Sequence, residues 1–287
     1  MDIVLTSGGN AALANRLREL RLIDKEESNM ASVNSDEWRA LYATIVILTG
    51  ASCISGETER AATYCHSTLQ RQLQLNHFSP MEWALNAATL SQYYITKGLY
   101  MEGRHCLSAA TVITGLAGEA PSEAAAQESE AESERREQLR QKRAEIARCW
   151  IKYCLNLLQD SKKLLEDSIG ELDTDRQEEM KMARRREEEE EEKGRKSALL
   201  FGSEDTFDSI ASLEEKVRCS LPLDFTEARV VFLVGQNYVT QAKEYFEMDG
   251  HVTDHVEILQ DHSALFRSNN NNESINLYVC IHLALKV

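Results

Sequence analysis

Two imidazoles four positions apart, His251 and His255, lie in the stretch DGHVTDHVEILQDH with Asp249, Asp254 and His262 beside them. On one helix face that spacing can hold a divalent metal. The same residues also read as a polar helix start, with Asp254 and Glu257 near the positive end of the helix dipole. No Cys/His spacing of a structural zinc site accompanies them. The polar start is therefore preferred, and neither a metal nor a cofactor is expected. Cys65 and His66, and again His105 and Cys106, place a thiol next to an imidazole. Consecutive helical residues point about 100° apart, so neither pair aligns a nucleophile with a base. Core packing is the expected role. No GxSxG, glycine-rich phosphate loop or HExxH occurs, and no enzyme is expected.

What remains is surface, and its charge is one-sided. The chain carries 32 Lys and Arg against 47 Asp and Glu, a formal net charge of -15. A polyanion is repelled by nucleic acid and by anionic lipid and is drawn to basic protein surfaces. No nucleic-acid partner is expected. The uncharged run from Ala40 to Gly56 falls short of the ~20 apolar residues a bilayer requires, and no basic-then-apolar stretch opens the chain. Neither membrane insertion nor a secretory signal is expected. Seven cysteines without a CxxC pair fit a reduced, intracellular compartment.

The elements that must present this surface read as helices. Only 3 prolines and 13 glycines occur, and 43% of residues are hydrophobic, enough for a real core. Residues 1–56 have no sustained helical period apart from NAALANRLRELRLI, and LYATIVIL has the β-branched content of a buried strand. From Glu57 onward Ala61, Ala62, Cys65, Leu69 and Leu73 form one helical stripe. SPME then predicts a capped start, with Ser79 accepting from an early amide, Pro80 at the first position and Glu82 reaching back. Trp83, Ala87, Leu90 and Tyr94 face inward from that helix, while Leu85, Thr89, Gln92 and Thr96 face away. Gly98 breaks it, and a second helix buries Tyr100, Gly103, Leu107 and Ala110, completing a hairpin within 57–114. Residues 115–134 predict a disordered loop.

Further helices are expected over 135–266. A long one ending near Ile169 carries Ile146, Trp150, Tyr153, Cys154, Leu157, Leu158, Leu164 and Leu165. The run RQEEMKMARRREEEEEEKGRK, residues 176–196, is either an exposed charged helix or a linker. Three more helices span 205–218, with Phe207, Ile210, Leu213 and Val217 inward, then 224–246, opened by the cap signal DFTE, and 253–266. Residues 267–287 carry no helical cap or period and stay unassigned.

Hairpins of this kind cannot bury both apolar faces alone and stack on copies of themselves. The second-helix pattern of Ala61 and Cys65 returns 42 positions on as Gly103 and Leu107, and VFLVGQNY repeats the first-helix pattern with Val234, Gly235 and Tyr238. The expected fold is all-α, a tetratricopeptide-like helical-hairpin solenoid, although the spacing is irregular against that repeat's period of ~34. In such arrays the first helix of each hairpin lines the concave groove. Thr89, Gln92 and Thr96, with Gln72 at the edge of the preceding stripe, are therefore the candidate partner contacts.

The strings AATYCHSTLQRQL, EWALNAATLSQYYI, EGRHCLSAATVI, AEIARCWIKYCLNL, IGELD, PLDFTEAR and DGHVTDHVEILQDHSALF resemble the kinesin-binding protein, or KIF-binding protein, family. The resemblance runs from about Glu59 to Phe266. It implies a noncatalytic cytoplasmic, cytoskeleton-associated adaptor that binds the motor domains of certain kinesins and keeps them off microtubules. Such an adaptor would influence organelle transport and neuronal outgrowth. Residues 1 to about 58 do not resemble the family's N-terminal helices, and where the family continues after DHSALF this chain turns to RSNNNN. A partial form is expected, leaving Leu259, Leu265 and Phe266 without the helices that would cover them. The rival readings are a tetratricopeptide-type peptide clamp, which would need a Lys or Arg cluster that the Pro80 helix lacks, and a metal-dependent enzyme built on the His251 region.

Overall fold

The computed structural model describes residues 57–74, 78–118, 130–168, 174–194, 200–202 and 206–269. All lie in one compact unit, Val46–Val287. The expectations for 1–56, for 119–129 and for 270–287 fall outside the described residues. Eight helices occupy the described part: α1 Glu57–Gln74, α2 Pro80–Thr96, α3 Tyr100–Ala117, α4 Glu130–Ser168, α5 Thr174–Gly194, α6 Phe207–Lys216, α7 Phe225–Tyr245 and α8 Val252–Asn269. No strand occurs among the described residues. The fold is all-α, and its hairpins α2/α3 and α7/α8 are compatible with tetratricopeptide-like stacking.

The local signals are realised unevenly. At Asp224 the cap forms: Oδ1 accepts from the Glu227 amide at 2.7 Å, while Glu227 Oε2 accepts from the Leu223 amide at 2.9 Å. Ser79 does not cap α2 with its side chain. Its carbonyl takes the Trp83 amide at 2.9 Å instead, and Pro80, which has no N–H to satisfy, supplies the first helical position. Gly98 adopts φ +72°, so the Leu99 and Gly98 amides turn back to the carbonyls of Tyr94 and Ile95 and close the C-terminus of α2.

Of the residues 115–134 expected to form a loop, 115–117 and 130–134 are helical. Helix α3 runs through Ala117, and α4 begins at Glu130, where Glu130 and Glu132 favour the positive end of the helix dipole. The charged run is helical up to Gly194, and α8 extends past Phe266 to Asn269.

Helix α4 is the axis of the packing. It lies against α2 and α3 on one side and α7 and α8 on the other. Ile146, Trp150, Tyr153, Cys154, Leu157 and Leu158 are buried as their spacing predicts, whereas Leu164 and Leu165, in the last two turns, are half-buried. The polar tips of the large residues are spoken for. Trp150 Nε1 donates to Thr111 Oγ1 at 2.9 Å and its ring stacks on Tyr238 at 5.1 Å, while Tyr153 Oη donates to the Arg218 carbonyl at 2.6 Å. Phe207, expected to face inward, is exposed, and Ile210 and Val217 of the same stripe are buried. Leu265, expected to lack cover, is completely buried, because Gly235 of α7 lets α8 and α4 approach at that level.

A Cβ placed on Gly235 would lie 3.1 Å from Cys154 Cβ and 3.1 Å from Leu265 Cδ1. Cys154 Cβ is fixed to the α4 backbone and cannot retreat. Gly235→Ala is expected to destabilise the fold by about 1–3 kcal/mol, as overpacking does. Gly115→Ala, where a Cβ meets nothing within 4 Å, should instead be neutral or stabilising by up to about 1 kcal/mol. Urea unfolding of the two variants checks the contrast, and equal midpoints would refute the close helix crossing.

Candidate functional site

Helix α2 is held by α1, α3 and α4, which leaves one stripe to solvent. Thr89 and Thr96 lie on that stripe, both exposed. Their hydroxyls donate to Leu85 and Tyr93 carbonyls at 2.8 and 2.7 Å, so each presents lone pairs and a methyl outward rather than a proton. Gln72 on α1 is half-buried. Gln92 lies elsewhere: its amide donates to Ser91 Oγ at 3.0 Å and reaches the Cys149 carbonyl of α4 at 3.4 Å. A two-faced reading of α2 put Gln92 outside because it did not anticipate a third neighbour. The stripe instead continues through Tyr93 and Lys97, whose Nζ sits 6.0 Å from the Tyr93 ring centre. Burial and the charge of Glu59 push the Tyr93 phenol up, so it remains a neutral donor. The spacing of Tyr93 and Lys97 from Thr89, four and eight residues on, was the available signal.

The DGHVTDHVEILQDH stretch resolves into a different device from a metal site. Its carboxylates line up along α8 and meet cations along α4. Arg148 Nη1 pairs with Asp254 Oδ1 at 2.6 Å, Arg148 Nη2 with Glu257 Oε2, and Lys152 Nζ with Asp261 Oδ1 at 2.6 Å. The histidines go three separate ways. His251 packs on the rings of Tyr245 and Phe246, His255 Nδ1 donates to the Phe246 carbonyl at 2.8 Å, and His262 packs on Phe266. Burial, with help from Lys243, holds the His262 pKa below its usual value. Among the described residues no three His, Cys, Asp or Glu side chains converge as a metal would need.

The cysteine–histidine neighbours also take structural places. Burial pushes the Cys65 thiol up to about 12, where almost no thiolate exists at neutral pH. His66 Nδ1 lies 3.1 Å from Tyr94 Oη, and Cys106 is completely buried. Cys149 is likewise pushed up to about 12 by burial. No helix among the described residues is long and apolar enough to cross a membrane.

The acidic helix α5 touches the body through Lys181, whose Nζ lies 2.7 Å from Asp224 Oδ2 and 3.6 Å from Glu178 Oε2. Asp224 thus caps α7 and anchors α5 together. Glu187 and Glu190, further along α5, are exposed.

Burial raises the Asp224 pKa, but the Lys181 hydrogen bond and charge and the amides of Glu227 and Thr226 outweigh it and hold the carboxyl below its ordinary 3.8. A pKa lowered by folding means that the unfolded chain binds the proton first. This contribution is complete above the ordinary carboxylate range and disappears as pH falls through the lowered value. Asp224→Ala is expected to cost about 1 kcal/mol at neutral pH and to leave a flatter stability profile below pH ~4. Denaturant titrations across that range check it, and an unchanged acid limb would refute the assignment.

Comparison with known proteins places this geometry. The model of the family described as KIF-1 binding protein C terminal matches residues 81–273. The KIF-binding protein of Danio rerio is 80% identical over 209 residues, which cover 73% of this chain and 33% of the relative. That of Xenopus tropicalis is 67% identical over 211 residues, 74% of this chain and 34% of the relative. That of Homo sapiens is 56% identical over 209 residues, 73% of this chain and 33% of the relative. The chain therefore spans about a third of the length of the curated relatives it matches. The family match takes in α2 through α8, including the α2 stripe and the ion-pair ladder. On this evidence of matched sequence, the chain belongs to the KIF-1 binding protein C-terminal family.

Proposed function

We propose that this chain contributes part of a noncatalytic, cytoplasmic adaptor that binds kinesin motor domains and regulates their attachment to microtubules. Through that attachment it acts on organelle transport and neuronal outgrowth. The observation that carries the reading is the 80% identity, over 209 residues, to a protein named for KIF binding. The net charge of -15 supports it in physical terms. A motor surface that tracks along an acidic filament must be basic, and an acidic adaptor attracts the same surface. Thr89 and Thr96, with Gln72 at the edge, supply short-range contacts, and Gln92 serves them by seating α2 on α4. Contacts of this polar kind contribute about 0.5–1.5 kcal/mol each, so the long-range field carries much of the capture rate and the stripe the register.

Immobilised chain is expected to retain a kinesin motor domain at moderate salt and to release it as ionic strength rises, because exposed charges are screened beyond about 8 Å at physiological salt. Thr89→Arg and Thr96→Arg, which leave every buried contact of α2 in place, should each weaken retention several-fold, about 1 kcal/mol. Absence of retention by chain whose helicity is intact would overturn the proposal, and retention insensitive to salt would remove its electrostatic part.

A further inference from the structure

Among the interior side chains that belong to no helix, one sits between aromatic rings. Phe201, in the connection between α5 and α6, is completely buried, and it enters a box made by three other elements. The His66 ring of α1 stacks on it at 4.3 Å and 19°, the His105 ring of α3 stacks at 5.3 Å and 15°, and the Trp83 ring of α2 meets it edge-on at 5.3 Å and 83°. Its backbone is bound as a peptide ligand's would be, by side chains. The Phe201 amide donates to His105 Nε2 at 2.6 Å, and the Leu200 carbonyl accepts from Gln70 Nε2 at 3.3 Å.

The walls of the box are fixed by bonds directed away from its occupant. Trp83 Nε1 donates to the Leu69 carbonyl at 2.9 Å, and His66 Nδ1 lies 3.1 Å from Tyr94 Oη. Because His105 Nε2 accepts from an amide, its Nδ1 carries the proton and donates to Glu214 Oε1 at 2.9 Å. The carboxylate of α6 thereby sets the tautomer that leaves an acceptor facing the box. On leaving the box the chain turns at once: Gly202 has φ +143°, and a Cβ there would lie 2.7 Å from the Phe207 ring. Leu200, Phe201 and Gly202 themselves belong to no helix.

We propose that this box is a recognition site for an aromatic side chain on an extended peptide, filled in cis by Phe201 and open to a partner's peptide of the same chemistry when Phe201 withdraws. The site is separate from the α2 stripe and independent of the motor-binding reading. It combines an apolar slot with a few placed polar groups, the usual make-up of a small-ligand pocket, and the peptide's main chain would find one acceptor, His105, and one donor, Gln70. A segment of the same chain competes at an effective concentration on the order of millimolar, so the wild-type pocket stays shut to weak peptides.

The test uses the whole chain carrying Phe201→Ala and the blocked tetrapeptide Ala-Leu-Phe-Gly, with Ala-Leu-Ala-Gly as control. The variant is expected to keep its helicity, to bind the Phe peptide saturably by calorimetry, and to gain melting temperature on binding. Wild type should bind it at least about tenfold more weakly, since its competent state is rarely populated. Uptake of both peptides alike, of neither, or loss of the fold in Phe201→Ala would each overturn the proposal. A second measurement needs no variant. In wild type the Phe201 amide should exchange its hydrogen by local opening about 100-fold faster than the core amides of α3. Protection equal to that of Leu107 and Ser108 would make Phe201 an ordinary part of the core.

Discussion

The fold depends on the burial of a single wide face, that of α4 between Ile146 and Leu158. A 39-residue helix of this composition has no reason to be ordered by itself, since isolated helices are marginal in water and draw their stability from packing. Its large side chains each gain roughly 1.5–3 kcal/mol on leaving water, and they can leave it only if helices stand on both sides. Trp150 makes the requirement concrete. One edge bonds to Thr111 on α3 and one face stacks on Tyr238 of α7. The two hairpins α2/α3 and α7/α8 are thus held through the same indole, and neither could shift register without stranding a polar or an aromatic surface.

Buried polar groups then set the details that apolar burial leaves free. Tyr153 Oη finds the Arg218 carbonyl, and Arg104 Nη1 takes the Val217 carbonyl at 2.9 Å and the Glu214 carbonyl at 3.2 Å, satisfying the open end of α6. A helix as short as α6 needs such outside donors for its last carbonyls. The consequence reaches further than the cap. With α6 fixed, Glu214 stands beside His105, and His105 beside Phe201, so a helix-end interaction determines what a pocket two elements away can bind.

Periodicity and cap chemistry made most of the helices legible, because both are local. The stripe of α4 and the DFTE cap could be read from the letters alone, and Gly98 marked the end of α2 for the steric reason that positive φ demands. What could not be read depended on neighbours. Gln92 looks like any polar residue opposite an apolar stripe, and only the arrival of α4 turns it inward. The aspartates and histidines of α8 suggested a ligand set because sequence spacing shows shared faces and not what those faces meet. Arg148 and Lys152, spaced four apart and a hundred residues away, were their counterpart. Phe201 was invisible for the same reason: the short apolar run ALLF that it ends carries no helical period, and its role is defined by rings from three helices.

The distribution of charge separates what serves the fold from what does not. Asp224, Glu227, Asp254, Glu257 and Asp261 are engaged with cations or caps, and Asp160 accepts from Tyr100 Oη at 2.5 Å. Those carboxylates are accounted for by structure. Glutamates 187–192 occupy the C-terminal half of α5, where the helix dipole is negative, and Arg184 to Arg186 stand three and four positions before Glu187 to Glu190, the spacing at which opposite charges pair along a helix. Lys181 ties α5 to Asp224, so one helix carries both a charge engaged by the fold and the exposed charges of Glu187 and Glu190.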